Sequence, residues 1–269
     1  MQLGKEKAWI QEEIGIGVES IRQLPGSTSS LVYEVKTTRQ LLVLRQFNNE
    51  EWLLEEPDLV QHEVAGLQKA LQIKLQTPDI LAFDETGDRA GMPSVLMTEI
   101  AGGVVLNPDN FNKWTDELAK ALVAIHQLQA IDFTWKYGPY VNVETMSFPD
   151  WTTIPDTWRK AIEIVQQPPP AYVECFIHRD YHPANVLWED GQVTGIVDWG
   201  SACRGPTGID VGHCRLNIAL LHGVEIADLF LDGRPTVYKG WLDFGFRGLT
   251  DQLMEERLDA FIESVVERK

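Results

Sequence analysis

The 269-residue sequence predicts an α+β chain of two lobes, a small β-rich N-terminal lobe over residues 1–101 and a larger, mainly helical C-terminal lobe over 102–269. Three observations predict it. Apolar runs of strand type dominate the first hundred residues. The stretch Ala101-Gly102-Gly103 then interrupts the pattern, and beyond it the apolar spacing turns helical over Phe111–Leu128. A chain of this length fits one domain or two lobes, and nine Trp and ten Phe furnish ample interior. Two lobes predict a cleft between them, the usual place for a ligand.

Taken in order, the N-terminal MQLGKEKAWIQEEIG is charged throughout and lacks an apolar signal core, and no apolar run approaches spanning length, so a cytoplasmic protein is expected. Glu19–Leu24 reads as a strand leading into PGSTSS. Leu31–Thr37 and Leu41–Phe47 read as strands around the polar turn Thr38-Arg39-Gln40. Val60, Val64, Leu67 and Leu71 predict an amphipathic helix over Pro57–Gln72, with Pro57 in its first turn. Two short strands, Ile80–Phe83 and Ser94–Glu99, flank the turn DETGDRAG. In Phe111–Leu128, Leu118, Leu122, Ile125 and Leu128 share a face, with Asn107 or Asp109 near the start as a cap. The remainder reads as mostly helical apart from Val186–Trp188 and Val193–Val197. These two runs are joined by Glu189-Asp190-Gly191-Gln192, whose Asp-Gly pair is a hairpin signal.

A net charge of −17 disfavours nucleic acid and anionic membrane surfaces as partners, and suits a cationic small substrate. It equally serves plain solubility. The odd cysteine count (Cys175, Cys203, Cys214) without a Cys-x-x-Cys pair argues against a disulfide framework and for packing roles.

Chemistry concentrates in FIHRDYHPANVLWEDGQVTGIVDWG, Phe176–Gly200. The predicted hairpin brings its outer ends together, so Asn185 and Asp198 are expected near one another. Their oxygens suit a hard divalent cation. Asp180, on the loop leading in, is placed to orient a hydroxyl and accept its proton.

His178-Arg179-Asp180-x-x-x-x-Asn185 followed by Ile196-Val197-Asp198-Trp199-Gly200 resembles the catalytic and metal loops of the protein-kinase-like superfamily. Within it the chain resembles the aminoglycoside phosphotransferase family, which includes small-molecule kinases. The resemblance implies a bilobal protein-kinase-like fold, with a nucleotide-binding lobe over 1–101 and a catalytic, substrate-binding lobe over 102–269. It implies Asp180 as catalytic base or hydroxyl-orienting group, and Asn185 and Asp198 as Mg²⁺ ligands. His178 would support the loop, and His182 would shape it or touch substrate. Arg179 departs from the glycine that often precedes the catalytic Asp in this family. With eleven residues between Asp198 and Asp210 and no Ala-Pro-Glu following, there is little room for a regulated activation loop, so Arg179 is expected to hold an internal carboxylate. Gly208–Gly212 resembles the family's Asp-bearing segment that opens a helix beneath the site.

In the first lobe the resemblance assigns Gly26, Ser27 and Ser29 to the nucleotide loop, Val43 to the adenine and Arg45 to the phosphates, where the pattern has Lys. It makes Glu63 the helix carboxylate anchoring Arg45, and places Glu99 and Ile100 in an interlobe linker that hydrogen-bonds the purine. His126 reads as core. Trp135, Tyr137, Tyr140, Trp151 and Trp158, with Asp150, Asp156, Asp210, Glu225 and Asp228, are candidates to hold an amino sugar, macrolide or other polyol amine. The expected activity is Mg²⁺-dependent transfer of the γ-phosphate of ATP or GTP to a small-molecule hydroxyl, an aminoglycoside or other antibiotic among the candidates, by a monomer or homodimer. The alternatives are a metabolite kinase of the choline, homoserine or methylthioribose type, and a non-catalytic nucleotide-binding protein, which Arg45 favours.

Overall fold

Alternation in Leu41–Gln46 decides how the first lobe is layered. Leu42 and Leu44 are fully buried on one face of the strand, and Val43 and Arg45 point to the other. The computed structural model describes residues 4–25, 30–168, 171–231 and 252–267. Its contacts divide the chain into two units, Met1–Ala101 with Val197–Ser201, and Gly102–Ile196 with Ala202–Lys269.

In the first unit β1 (Val18–Gln23), β2 (Leu31–Thr37), β3 (Leu41–Gln46), β4 (Ile80–Asp84) and β5 (Ser94–Thr98) form one antiparallel sheet in the order β1-β2-β3-β5-β4. Helix α1 (Gly4–Ile14) sets Trp9 and Ile10 in a cluster with Tyr33, Val35, Leu42, Leu44 and Leu96. This helix was not expected from the sequence. Only Glu6, Trp9 and Ile10 of it are buried, so it carries little apolar periodicity. A short α2 (Glu50–Glu55), capped by Asn49, precedes α3 (Leu59–Ala70), so Pro57 falls in the link between them rather than in a first helical turn. Val60, Val64 and Leu67 are buried along α3 as the spacing predicts. Asp84 closes the turn before β5 by accepting from the backbone N–H groups of Gly87, Arg89 and Ala90.

The second unit is mainly helical. It contains a two-residue strand β6 (Gly103–Val104), α4 (Phe111–His126), α5 (Pro155–Gln166), β7 (Cys175–Ile177), the hairpin β8 (Val186–Glu189) and β9 (Gln192–Ile196), β10 (Cys203–Gly205), α6 (Gly208–His222), α7 (Val224–Leu229) and α8 (Gln252–Glu267). The cap of α4 is Asn110, whose side chain accepts from Lys113 N, rather than Asn107 or Asp109. The β8–β9 turn is the predicted Asp190-Gly191, both at positive φ (50° and 72°), as a two-residue hairpin requires. β6 adds to β8, and Gly102 (φ 119°) leaves no room for a side chain, since a Cβ there would lie 2.7 Å from Thr194 Oγ1.

Arg215 on α6 binds Asp228 on α7 and Ser264 on α8, tying three helices together. All three cysteines are buried and free. Burial, reinforced by the nearby charge of Asp210, pushes the Cys175 thiol up to about 12, which keeps it unreactive. No helix among the described residues is long and apolar enough to cross a membrane.

Candidate active site

Two constellations gather the sequence-predicted residues, one in each unit. In the first, β3 lies between β2 and β5, with Arg45 paired to Val32 on one side and Val95 on the other. Arg45 is 6% exposed. Its Nε donates to Ser30 Oγ at 3.0 Å, and its Nη1 donates to Glu63 Oε1 at 2.9 Å and Asp198 Oδ1 at 2.5 Å. Burial alone would lower the guanidinium pKa, but the charges and hydrogen bonds of Asp198 and Glu63 overcome it and raise the pKa, so Arg45 is a fixed cation. Glu63, buried on α3, has its carboxyl pushed up by burial, pulled back by Arg45, and pushed again by the negative charge of Asp198. The predicted Arg45–Glu63 pair is therefore present, and Asp198 joins it. Asp198 is held at φ 67° and its side chain is about one-third exposed at 36%.

Val43 shares the Arg45 face and is half-buried. Glu99, exposed, and Ile100, buried, follow β5 and line a cavity of about 540 Å³ together with Gln40, Leu41, Leu71 and Leu75. Gly26, Ser27 and Ser29 lie outside the described residues. Ser30, the next residue, is the one that Arg45 holds.

In the second unit β7 pairs with β10 and delivers the chain to His178, Arg179 and Asp180. The buried carboxylate of Asp210, in the first turn of α6, fixes this loop. It accepts from the backbone N–H groups of His178 (2.9 Å) and Arg179 (2.7 Å), and its Oδ2 lies 2.9 Å from His126 Nε2. Burial would raise the Asp210 pKa, but His126 and His178 outweigh it and keep the carboxyl below its ordinary value. Asp210 is thus a buttress rather than a ligand for an acceptor amine, and His126 is its partner rather than a simple core residue. Tyr181, fully buried, donates from its hydroxyl to Leu118 O on α4 at 2.7 Å.

Arg179 sits at φ 72°, in the left-handed region that glycine adopts without strain. Its guanidinium carbon lies 4.4 Å from the ring centre of Tyr137 and 3.8 Å from that of Tyr140. Both rings thus pack against the guanidinium. The rest of the aromatic set is also largely structural. Trp158 donates to Asp259 inside the unit, Trp135 and Tyr137 pack on Cys175, Ile177, Cys203 and Ile209, and Asp228 is paired with Arg215.

Asn185 closes a short 3₁₀ turn, and its Nδ2 donates to Asp180 O at 2.9 Å and Asp180 Oδ2 at 3.2 Å. The same Nδ2 lies 3.2 Å from His182 Nε2, and with the amide nitrogen so engaged the carbonyl oxygen is left for another partner. Asp180 Oδ1 lies 3.0 Å from His213 Nε2 and 3.7 Å from His182 Nε2. Burial would raise the Asp180 carboxyl, yet the two imidazoles, by hydrogen bonding and charge, hold it well below the usual carboxylate range. Sequence reasoning missed His213; the only signal was its place one helical turn after Asp210.

The model of the phosphotransferase enzyme family matches residues 20–248. No curated protein sequence matches the chain. Among solved structures, the macrolide 2′-phosphotransferase of Brachybacterium faecium aligns over 96% of this chain and 88% of its own, with TM-score 0.59 at 13% identity. A type I macrolide 2′-phosphotransferase aligns over 97% and 88%, with TM-score 0.61 at 15% identity. An aminoglycoside phosphotransferase solved as a ternary complex with streptomycin and ATP aligns over 85% and 80%, with TM-score 0.57 at 13% identity. At these identities the structural likeness establishes the fold, and the family match covers most of the sequence. The chain, with its small antiparallel β-sheet lobe and its helical lobe, belongs to the phosphotransferase enzyme family.

Proposed function

We propose that the protein transfers the γ-phosphate of ATP or GTP to a hydroxyl of a small, cationic acceptor such as an amino sugar, with Asp180 as the residue that faces that hydroxyl. The observation that carries this reading is the state of Asp180, a one-third exposed carboxylate kept ionised and aimed by Asn185 and two imidazoles. The net charge of −17 and a neighbour that binds streptomycin support a cationic acceptor.

In the reaction, the acceptor oxygen bonds to the γ-phosphorus as the bond from phosphorus to the β–γ bridging oxygen breaks. The hydroxyl proton passes to Asp180 and from there to water, leaving a phosphate ester and a nucleoside diphosphate. Arg45, a permanent cation that holds Ser30, would stand against the phosphates in place of a lysine. Asn185 and Asp198 would hold Mg²⁺. Both offer oxygen, the donor a hard cation prefers: Asn185 engages Asp180 through Nδ2 and keeps Oδ1 for the ion, and Asp198 engages Arg45 through Oδ1 and keeps Oδ2. When bound, the ion neutralises charge that develops on the transferring phosphoryl group. Val43 and the backbone at Glu99 and Ile100 would receive the purine, and Gly26, Ser27 and Ser29 its phosphates.

The test is a screen with γ-labelled ATP and GTP against aminoglycosides, macrolides, choline, homoserine and methylthioribose, repeated with Asp180→Ala. Label should move to an acceptor in the wild type, and the variant should lose at least about 100-fold in kcat. Transfer by Asp180→Ala at the wild-type rate sinks the mechanism. The contact of Arg45 with Asp198 favours one second reading, a nucleotide-binding protein without turnover. It predicts Mg²⁺-dependent thermal stabilisation by nucleotide with no acceptor ever labelled.

A further inference from the structure

His213 is the neighbour of Asp180 that the sequence motif does not account for. It lies on α6 between two anchored residues, Asp210 one turn before it and Arg215 two residues after it. Asp210 is bonded to the backbone of His178 and Arg179, and Arg215 to Asp228 and Ser264. The helix that fixes the backbone just ahead of Asp180 thus also presents an imidazole to the Asp180 side chain.

We propose that His213 is a positioning residue for phosphoryl transfer, its Nε2–H holding Asp180 Oδ1 so that the carboxylate turns its remaining lone pairs to the acceptor hydroxyl. This rests on the reading of Asp180 given above. Asn185 Nδ2 restrains the other oxygen, Oδ2, together with the Asp180 backbone carbonyl. A single restraint leaves a carboxylate free to swing about its terminal torsion, which has a broad energy well. A donor on each oxygen removes that freedom, and orientation of this kind is worth orders of magnitude in rate.

The third neighbour of Asp180 is His182. His182 Nδ1 accepts the backbone N–H of Ala184 at 3.3 Å, and its Nε2 lies 3.2 Å from Asn185 Nδ2 and 3.7 Å from Asp180 Oδ1. Asp180, His182 and His213 are close enough together to surround a metal ion. Such an ion would need the lone pair of His182 Nε2, the nitrogen that faces Asn185 Nδ2 at 3.2 Å. The His213 imidazole and the Asn185 amide therefore converge on the two oxygens of the Asp180 carboxylate.

Two measurements on the full chain test the proposal. Long-range ¹H–¹⁵N spectra of the imidazoles should show a His213 Nε2–H signal that moves in Asp180→Asn; a signal indifferent to that change overturns the contact. Turnover is read as hydrolysis of MgATP with water as acceptor, and as transfer to any acceptor found by the screen. His213→Ala should lower kcat about 10- to 100-fold with the KM for MgATP unchanged. His213→Gln, which puts an amide N–H where Nε2–H stands, should recover most of the loss. An alanine variant with wild-type kcat, or a glutamine variant no better than alanine, overturns the role. Should His213→Ala fail to fold, the glutamine variant and the spectra still decide it. A wild type that turns over nothing removes the phosphotransfer reading and the positioning role together, whereas a working wild type with an indifferent His213→Ala removes only the latter.

Discussion

Removing the Arg45 side chain strands two carboxylates that its Nη1 now serves, the buried Glu63 and the part-exposed Asp198. Breaking one side of a buried ion pair leaves a charge without compensation, so Arg45→Ala should lower stability by about 3–5 kcal/mol in a urea titration. Arg45→Lys should lose less, about 1–2 kcal/mol, since a lysine ammonium keeps the charge but lacks the fork that reaches Ser30 as well. At Arg179 the usual order of substitutions should invert. An L-residue at φ 72° carries about 1–2 kcal/mol of strain that glycine does not, and the two tyrosine rings offset it only while the guanidinium is present. Arg179→Ala keeps the strain and loses the rings, whereas Arg179→Gly loses both. The glycine variant should therefore be the more stable of the two by about 1 kcal/mol in thermal denaturation.

The loop that carries Asp180 is held by short elements that depend on one another. Asp210 takes two backbone N–H groups and faces an imidazole with two oxygens, and an amide has only one oxygen to offer. Asp210→Asn should leave at least one buried donor unpaired, at about 1–3 kcal/mol. Hydrogen exchange should quicken at the amides of His178 and Arg179 while those of β3 stay unchanged. This also explains what could be read in advance. The β8–β9 hairpin was legible because Asp190-Gly191 is a local signal, and α3 and α4 were legible because their apolar residues recur along one face. α1, with two buried apolar residues, and β6, β7 and β10, of two or three residues each, carry no local pattern and exist through pairing with distant partners. Asp180, Asn185 and Asp198 were singled out by their spacing, and the structure sets Asn185 against Asp180 and Asp198 against Arg45. His213 was not, because its contact crosses from one element to another with nothing in the motif to mark it.

On the scale of the whole molecule, acid should act through a few hydrogen-bonded carboxylates rather than through the surface charge. The carboxyls of Asp84, Asp180, Asp210 and Asp259 all lie below the ordinary aspartate value. Burial opposes this in each, and hydrogen bonds overcome it: backbone N–H groups for Asp84, histidines for Asp180 and Asp210, and Thr152, Thr153 and Trp158 for Asp259. A carboxyl with a depressed folded pKa adds stability above its unfolded value of about 3.9, and that stability is lost as pH falls through the folded value. Glu63 has the opposite sign. Its raised pKa favours the folded state on acidification, but it is one group against four. Thermal midpoints should therefore be nearly flat from pH 7 to about 5 and fall steeply below about 4. Asp259 offers the cleanest check, because it joins α8 to residues 152–158 and lies outside the proposed chemistry. Asp259→Asn should be less stable than wild type at pH 7, with the gap narrowing as the pH drops below 4 and the native carboxylate takes up its proton. A gap that stayed constant across that range would mean that Asp259 contributes through packing alone.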